Sequence, residues 1–329
     1  MNQSKLTPVF RVKGRFLYDP CGHPVILRGV NKMNIWTDPQ GASFTEIAQT
    51  GANCVRIVWL AFLDGQPTSA ADLDNIISAC IAQKMIPLVE VHDATGDWSQ
   101  LPVALAFWQR ADIVAVVKKH ERYLLVNIAN EAGNYTVTDE QYIQDYSAAV
   151  KDLREVGIRT PLVIDGADWG KNLEQIVRVA PQLIKADPDQ NILFSVHTYW
   201  PIKDGADADF IRNQFQTAVD QNVPFMVGEF SKYGAYINKD INPCSDDGRI
   251  DYQTILSECQ RLQIGWLAWE WGPGNASDNN PLCEKMDMTT QSTFATLKDW
   301  GLEIAVTRPD SILHTAQRPP FILNGLQCP

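Results

Sequence analysis

The sequence has little positive charge, which disfavours two classes of partner. Lysine and arginine together number 28, against 39 aspartate and glutamate residues, so the net charge is −11, and there is no run of basic residues. Nucleic acids and anionic membrane surfaces are bound by basic patches on a protein, and they repel an acidic surface. The longest apolar runs are also only as long as a β-strand, well short of the roughly 20 residues that a membrane-spanning helix needs. We therefore expect a soluble monomer that binds neither nucleic acid nor membrane.

Sequence motifs for metal and redox chemistry are missing as well. The five histidines show neither H-x-H nor H-E-x-x-H spacing, and the seven cysteines include no C-x-x-C pair. The segment 204–210, DGADADF, lacks the final glutamate of a calcium-binding loop. The sequence thus predicts no metal and no cofactor, and it disfavours a metal-dependent hydrolase.

The cysteines suggest two environments. Cys54 lies in a strand-like segment and Cys80 on the apolar face of a helix-like segment, so both are predicted to be buried thiols. Cys244 and Cys283 lie in loop-like stretches and could form a disulfide, but their spacing alone leaves the pairing open.

Eight short apolar runs recur along the chain, and their starts are 28 to 40 residues apart. Near-continuous apolar runs are typical of parallel strands that are buried on both faces. Their spacing leaves room for one crossover helix after each strand. The runs are 25–31, 53–59, 86–92, 123–130, 161–166, 192–200, 224–230 and 264–271.

The stretches between the runs carry helix signals. Ser43 with Glu46, and Thr138 with Gln141, have the spacing of a capping box at a helix N-terminus. Between residues 73 and 81, apolar side chains recur at the spacing of one helix face.

Eight strand–helix units predict the α/β class, as a single (β/α)8 TIM barrel. An open doubly wound sheet would show a Gly-rich phosphate-binding turn after its first strand, and none is present. No Pro/Gly/Ser-rich linker divides the chain, so residues 1–329 are predicted to form one catalytic domain. Residues 1–22 are predicted to form an N-terminal hairpin over the closed end of the barrel.

Polar and aromatic residues follow the predicted strands, at the end of the barrel where such folds carry their active sites. Taken singly, each has an ordinary structural explanation, as a solvated rim residue, a hydrogen-bonded histidine or a core tryptophan. Their joint placement on several strands favours a functional cleft instead. These residues are Arg56, Trp59, His92, Asp93, Asn130, Glu131, Asp165, Asp168, Trp169, His197, Tyr199, Trp200, Glu229, Trp269, Glu270 and Trp271.

Two of these residues predict a reaction. Glu131 follows the fourth strand and Glu229 the seventh, so their carboxyl groups can face each other across the barrel mouth. Two carboxyl groups about 5 to 5.5 Å apart are typical of retaining glycoside hydrolysis, in which one acts as acid/base and the other as nucleophile. Arg56 near Glu229 would keep the nucleophile ionised, while a less polar setting would keep Glu131 protonated.

Other strand-end residues fit a sugar-binding role. Tyr199 could donate a hydrogen bond to the nucleophile, Asn130 could hold the sugar 2-hydroxyl group, and Trp269 offers a flat apolar face to a sugar ring. Five further tryptophans are candidates for more distant sugar subsites, although rim tryptophans are also used in packing. They are Trp36, Trp59, Trp98, Trp169 and Trp200.

The motifs around these residues resemble those of glycoside hydrolase family 5. They are NIANE (127–131), VGEF (227–230), VHTY (196–199), WLAWEW (266–271), VRIVW (55–59) and EVHDATGDW (90–98). The resemblance extends over residues 25–300. It implies a retaining enzyme that cleaves a β-1,4-linked plant polysaccharide without a cofactor, with Glu131 as acid/base and Glu229 as nucleophile. The supporting residues that it implies are Arg56, His92, Asn130, His197, Tyr199 and Trp269.

Two branches of this family are similar to the sequence. The bacterial β-mannanase branch has tryptophan after the acid/base glutamate, where this sequence has Ala132, and a histidine in the first-strand loop, which RGVNKMNIW (28–36) lacks. The sequence therefore predicts an endo-β-1,4-glucanase that acts on cellulose or mixed-linkage β-glucan, with an endo-β-1,4-mannanase as the alternative. A non-catalytic carbohydrate-binding barrel is a more remote reading.

The expected location is outside the cytoplasm. The first ten residues lack the apolar segment of a signal peptide. A polysaccharide substrate nevertheless predicts a secreted or periplasmic protein, whose signal is then absent from the sequence as it stands.

Overall fold

A closed barrel of eight parallel strands forms the centre of the protein. The computed structural model describes residues 8–234, 244–325 and 327–328. Every strand pairs with its sequence neighbours, and the last pairs with the first. The strands are β1 Arg28–Lys32, β2 Cys54–Trp59, β3 Ile86–Val91, β4 Leu125–Asn127, β5 Leu162–Asp165, β6 Ile192–His197, β7 Phe225–Glu229 and β8 Gly265–Ala268. Each overlaps one predicted apolar run, and the predicted (β/α)8 barrel is confirmed.

Helices surround the barrel and bury their apolar faces against it. In the helix Ala70–Ala82, for example, Leu73, Ile76, Ile77 and Cys80 are buried, as their spacing predicted. The longer helices are Ala70–Ala82, Leu101–Gln109, Ala111–His120, Asp139–Glu155, Leu173–Ala186, Ala208–Asp220 and Tyr252–Leu262. Short helices are Asn34–Thr37, Phe44–Ala48, Asp299–Leu302, Ile312–Thr315 and Pro320–Leu323. Among the described residues, no helix combines the length and apolar character that crossing a bilayer requires.

The two predicted helix caps have different outcomes. Thr138 caps its helix, because its side chain accepts a hydrogen bond from the backbone N–H of Gln141 (3.2 Å). The cap at Ser43 is wrong: its side chain makes no capping bond and instead donates to Asp38. The Asp38 carboxylate accepts from the backbone N–H of Ala42 and Ser43, so a loop residue orders this turn in place of the predicted box.

A three-stranded antiparallel sheet lies at the amino ends of the barrel strands. Its strands are Arg11–Lys13, Phe16–Tyr18 and Pro24–Val25. One apolar cluster contains Phe10, Leu17 and Val25 together with Ile86 and Leu125. Ile86 and Leu125 are the first residues of β3 and β4. The sheet therefore covers the end of the barrel opposite the predicted site. Residues 1–7 of the predicted hairpin segment lie outside the described residues, and the single domain over residues 1–329 stays a prediction.

Two disulfides hold segments that are distant in sequence. Cys244 is bonded to Cys283, which resolves the pairing that the sequence left open. Cys21 is bonded to Cys328, across 307 residues, a link that no sequence pattern indicated. Cys54 and Cys80 are buried free thiols, as predicted.

Candidate active site

Arg56 lies at the centre of a buried polar cluster within the barrel mouth. It projects from β2 and is only 1% exposed. Its guanidinium donates to Glu229 Oε1 (2.7 Å) and Asn130 Oδ1 (2.6 Å), and it lies 3.3 Å from Asp165 Oδ2. Burial lowers the pKa of Arg56, but the negative charges of Glu90, Glu229 and Asp165 outweigh this effect and raise it above its ordinary value. The guanidinium is therefore a permanent positive charge inside the barrel.

Glu229 is the last residue of β7 and is almost fully buried. Besides the bond from Arg56, its carboxylate accepts one from the Tyr199 hydroxyl group (2.9 Å to Oε2). Burial raises the pKa of Glu229 to about 7, against the opposing effects of Arg56, His92 and the Tyr199 hydrogen bond. These partners favour the ionised form and fix the orientation of both carboxylate oxygens.

Glu131 follows β4 and lies in a different environment. Its backbone has a positive φ of 46°, and its N–H donates to Asp165 Oδ2 (3.0 Å), so the turn is tied to the end of β5. Burial raises the pKa of Glu131 well above its ordinary value, and the negative charges of Glu229 and Asp165 raise it further. The hydrogen-bonding atoms of Glu131 and Glu229 lie within 4.8 Å of one another. Of the two carboxyl groups, Glu131 retains its proton to higher pH, because Arg56 bonds directly to Glu229.

His197, the last residue of β6, bridges the pair. Its Nδ1 lies 2.7 Å from Glu131 Oε1 and 3.6 Å from Glu229 Oε1. Burial lowers the pKa of His197 well below its ordinary value, and the positive charges of Arg56 and His92 lower it further, so the ring is neutral. Gly170 has a positive φ of 75°, and a Cβ atom there would lie 2.6 Å from the His197 ring. A residue with a side chain at position 170 would therefore clash with the His197 ring, and glycine avoids this clash.

His92 and Trp269 form one wall of the cleft, on the side of the carboxyl pair away from His197. Burial lowers the pKa of His92, but the charge and hydrogen bond of Glu90 (2.8 Å to Nδ1) outweigh it, and the pKa is raised. The His92 ring stacks on Trp269, with ring centroids 5.9 Å apart and an interplanar angle of 19°. Trp36, which is 47% exposed, meets His92 edge-on at 5.5 Å. Three rings thus line one side of the cleft.

Asn130 joins this wall to the carboxyl pair. Its side-chain oxygen accepts from Arg56, and its amide nitrogen donates to Thr95 Oγ1 (2.8 Å) and lies 3.4 Å from His92 Nε2. The Asn130 amide group is therefore fixed between Arg56 and Thr95. The sequence predicted that this amide contacts the sugar.

The remaining predicted subsite tryptophans differ in what they contact. Trp59 is 1% exposed and packs in the main apolar core, so it has almost no surface for a sugar. Trp98 packs against Tyr142 and Tyr146, and its indole N–H donates to Asp145 (2.8 Å). These contacts favour a packing role, because the ring and its N–H group are all held by residues of the helix Asp139–Glu155.

Trp200 and Trp169 lie beyond Tyr199, on the side of β5 and β6. Trp200 is 8% exposed, packs against Phe210 and donates from its indole N–H to the backbone oxygen of Lys171 (3.1 Å). Trp169 is half-buried, and the Lys171 ammonium group lies 5.7 Å from its ring centre. Of the two, Trp169 has the larger surface left for a ligand.

Three acidic or amide residues for which the sequence predicted no individual role also contact Arg56 or its partners. Asn127 accepts from Arg56 Nε (3.1 Å), Asp165 contacts Arg56 and the Glu131 backbone, and Glu90 holds His92. Glu90 and Asn127 could have been found, because each is a polar residue inside an otherwise apolar strand. Asn275, which bonds to Trp269, lies in an irregular loop that carries no such signal.

A cation could in principle be held by Glu131, His197 and Glu229, whose donor atoms lie within 4.8 Å of one another. The Arg56 guanidinium already lies 2.7 Å from Glu229, however, and would repel a second cation. The expected absence of a metal stays a prediction.

Replacing Arg56 with methionine should lower the free energy of unfolding by about 3–5 kcal/mol, because buried carboxylates would lose their cation. Urea denaturation at pH 7 measures this loss. Arg178→Met is the control, since its ion pair with Asp139 is 52% and 30% exposed and is expected to contribute less than about 1 kcal/mol. Equal losses for the two variants would contradict the prediction.

Comparison with known proteins bears on both family and substrate. Residues 18–275 match the family model "Cellulase (glycosyl hydrolase family 5)". A mannan endo-1,4-beta-mannosidase of Salipaludibacillus agaradhaerens is 32% identical over 94% of this chain and 94% of its own length. The structure of the Thermomonospora fusca beta-mannanase in complex with mannohexaose has a TM-score of 0.82 and 29% identity, and covers 96% of this chain and 100% of its own.

The preference for β-glucan drawn from the sequence is wrong. The relative named endoglucanase A, from Butyrivibrio fibrisolvens, is only 20% identical over 89% of this chain, well below the mannosidase. The structure shows what surrounds the two departures that suggested glucan. Ala132 is fully buried and bridges to Thr95, and the Asn34 side chain donates to the backbone oxygen of Asp38 within its own loop.

The barrel, the polar cluster at the carboxyl ends of its strands and the family model, which covers most of the chain, agree with one another. The predicted family is confirmed: the chain belongs to glycoside hydrolase family 5.

Proposed function

We propose that this protein is an endo-β-1,4-mannanase that acts by a retaining mechanism. The proposal rests above all on one observation, the two buried carboxyl groups of Glu131 and Glu229 with donor atoms within 4.8 Å and unequal surroundings. A short separation of this kind suits a carboxylate that attacks the sugar itself, and leaves too little room for a water molecule between them. The similarity to enzymes named β-mannanases supports mannan as the substrate.

In the first step, the Glu229 carboxylate attacks the anomeric carbon and forms an ester bond to the sugar. At the same time the carboxyl group of Glu131 gives its proton to the glycosidic oxygen, the bond from this oxygen to the anomeric carbon breaks, and the leaving chain departs as an alcohol. The bonds from Arg56 and Tyr199 keep Glu229 ionised and aimed before the attack. The environment of Glu131, which raises its pKa, keeps the proton that this step needs.

In the second step, a water molecule takes the place of the leaving chain. Glu131, now ionised, removes a proton from this water, whose oxygen attacks the anomeric carbon and breaks the ester bond to Glu229. The neutral His197 remains hydrogen-bonded to Glu131 in both charge states, because an imidazole can either donate or accept at Nδ1.

The ring wall supplies the sugar contacts. Trp269, which stacks on His92, offers its other face to the ring that reacts, and Asn130 contacts the 2-hydroxyl group. Trp36, with 47% of its surface exposed, extends this wall away from the carboxyl pair. Trp169 lies on the opposite side, where the leaving chain would pass.

We also propose that the enzyme is a secreted or periplasmic monomer with one domain over residues 1–329. Its disulfides, Cys21–Cys328 and Cys244–Cys283, suit an oxidising compartment, and polymeric mannan is met outside the cytoplasm.

The test compares β-mannan with barley mixed-linkage β-glucan and carboxymethyl cellulose at equal mass concentration, with reducing ends as the readout. We expect release from mannan to be at least about tenfold faster than from either glucan, the discrimination that a few favourable contacts provide. Glu229→Gln serves as the blank. Faster cleavage of a glucan would contradict the substrate, and no cleavage of any polymer would favour the non-catalytic binding barrel.

A further inference from the structure

The sugar-facing Trp269 is held by a hydrogen bond from outside the barrel. Its indole N–H donates to the side-chain oxygen of Asn275 at 2.7 Å. Trp269 is only 7% exposed, and its ring stacks on His92 in the cleft wall. Stacking on His92 sets the distance between the two rings, and the bond to Asn275 fixes the edge of the indole that carries the N–H group.

The Asn275 side chain can accept this bond in only one orientation. Its amide nitrogen donates to Asp287 Oδ1 at 2.7 Å, which turns the amide oxygen toward Trp269. A flipped amide would place oxygen against the carboxylate and N–H against N–H, and both contacts would be repulsive. The same Asp287 oxygen accepts from the backbone N–H groups of Gly274 and Asn275 (3.2 Å each), so the backbone of the loop is fixed as well.

Asp287 is in turn anchored next to a disulfide. It is 2% exposed and directly follows the short 3-10 helix Pro281–Met286, to which its backbone N–H is bonded. This helix contains Cys283, and its partner Cys244 belongs to the segment after β7. Both cysteines pack with Trp269 in one apolar cluster. The disulfide therefore joins the segment after β7 to the segment after β8, in contact with the cluster that holds Trp269.

We propose that Asn275, Asp287 and the Cys244–Cys283 disulfide form one positioning unit that holds Trp269 for the sugar in the reacting subsite. Asn275 and Asp287 are positioning residues, since they act through Trp269. This inference rests on the proposed function for its kinetic consequences, but the orientation of Trp269 can be measured without any substrate.

The kinetic test uses Asn275→Ala, Trp269→Phe and the double variant. Phenylalanine keeps an apolar ring and removes the indole N–H. We expect Asn275→Ala to lower kcat/KM on mannopentaose about tenfold, the effect of one hydrogen bond. In the Trp269→Phe background, Asn275→Ala should cause no further loss, because the bond is already missing. Full additivity in the double variant would overturn the proposal.

A conservative pair separates positioning from folding. Asp287→Asn keeps an oxygen that can accept from Asn275, and should retain kcat/KM within about twofold, whereas Asp287→Ala should lose about tenfold. Melting temperatures are measured in parallel. Equal kinetic losses for the two Asp287 variants would overturn the role assigned to the carboxylate oxygen.

The substrate-free test follows the indole N–H resonance of Trp269 in a proton–nitrogen NMR spectrum. This resonance is identified by its disappearance in Trp269→Phe. It should shift and exchange faster with solvent in Asn275→Ala and in Asp287→Ala, because the hydrogen bond is lost. An unchanged resonance would overturn the proposal even if the enzyme proved not to cleave mannan. If wild-type protein cleaved no mannan while the resonance shifted as expected, only the proposed function would fail.

The chain supplies a matched control for the disulfide. Cys244→Ser/Cys283→Ser should shift the Trp269 resonance and lower kcat/KM, whereas Cys21→Ser/Cys328→Ser removes a disulfide at the opposite end of the barrel and should change neither. Equal effects of both pairs, or no effect of the first, would remove the disulfide from the unit.

Discussion

Replacing Glu229 with glutamine should lower kcat on mannan by on the order of 10⁵-fold, because the covalent step loses its nucleophile. Glutamine keeps the size of the side chain and can still contact Arg56 and Tyr199, so the fold should persist. Glu258→Gln is the control, since Glu258 is also a buried acid bonded to an arginine, Arg261, but lies on an outer helix. Initial rates of reducing-end release measure both variants.

The product of chemical rescue identifies the role of Glu229. In Glu229→Ala, azide can occupy the space of the lost carboxylate and attack the anomeric carbon of an activated aryl mannoside. This single displacement should give the α-mannosyl azide. A variant that retained more than about 1% of wild-type kcat, far above the loss expected for a nucleophile, would contradict the assignment.

The second large effect is expected at Glu131. Glu131→Ala should lower kcat on mannan by about 10³–10⁴-fold, the upper part of the range for a general acid. A dinitrophenyl leaving group needs no proton, so attack on such a substrate should be nearly unaffected, and breakdown of the ester should become limiting. Azide should accelerate that breakdown and give the β-mannosyl azide, the opposite anomer to that from Glu229→Ala. Slow attack on the activated substrate would contradict a role as acid.

The same variant should change the pH profile in a defined direction. The active form requires Glu229 ionised and Glu131 protonated, so kcat/KM rises with pH as Glu229 ionises, with a midpoint near its pKa of about 7, and falls as Glu131 ionises at higher pH. In Glu131→Ala the fall at high pH should disappear, while the rise remains. A basic limb that persisted in this variant would assign it to another group.

Much of the barrel and the carboxyl pair could be predicted from the sequence because their signals are local. Each strand is a continuous apolar run, since both of its faces are covered, and an acid at the end of such a run must lie at a rim or in a site. Glu131 and Glu229 were found in this way. Arg56 was equally visible, as a cation in a strand that is otherwise apolar.

What the sequence could not supply depends on contacts between distant segments. The hydrogen bond from Trp269 to Asn275 requires a loop conformation that Asp287 fixes. No sequence motif in that loop indicates this conformation. Ala132 misled for a related reason: its neighbour Glu131 lies in the cleft, but Ala132 itself turns into the core. Adjacent residues at a strand end can thus face in opposite directions, one into the cleft and the next into the core.

The Cys21–Cys328 disulfide has a practical consequence for how the enzyme can be attached to other objects. Phe10 and Phe321 also meet at this end, with ring centroids 6.4 Å apart. The first and last described segments therefore leave the barrel side by side, on the face that lies opposite the cleft. Attachment through a residue next to Cys21 or Cys328 should therefore leave the cleft open to its substrate.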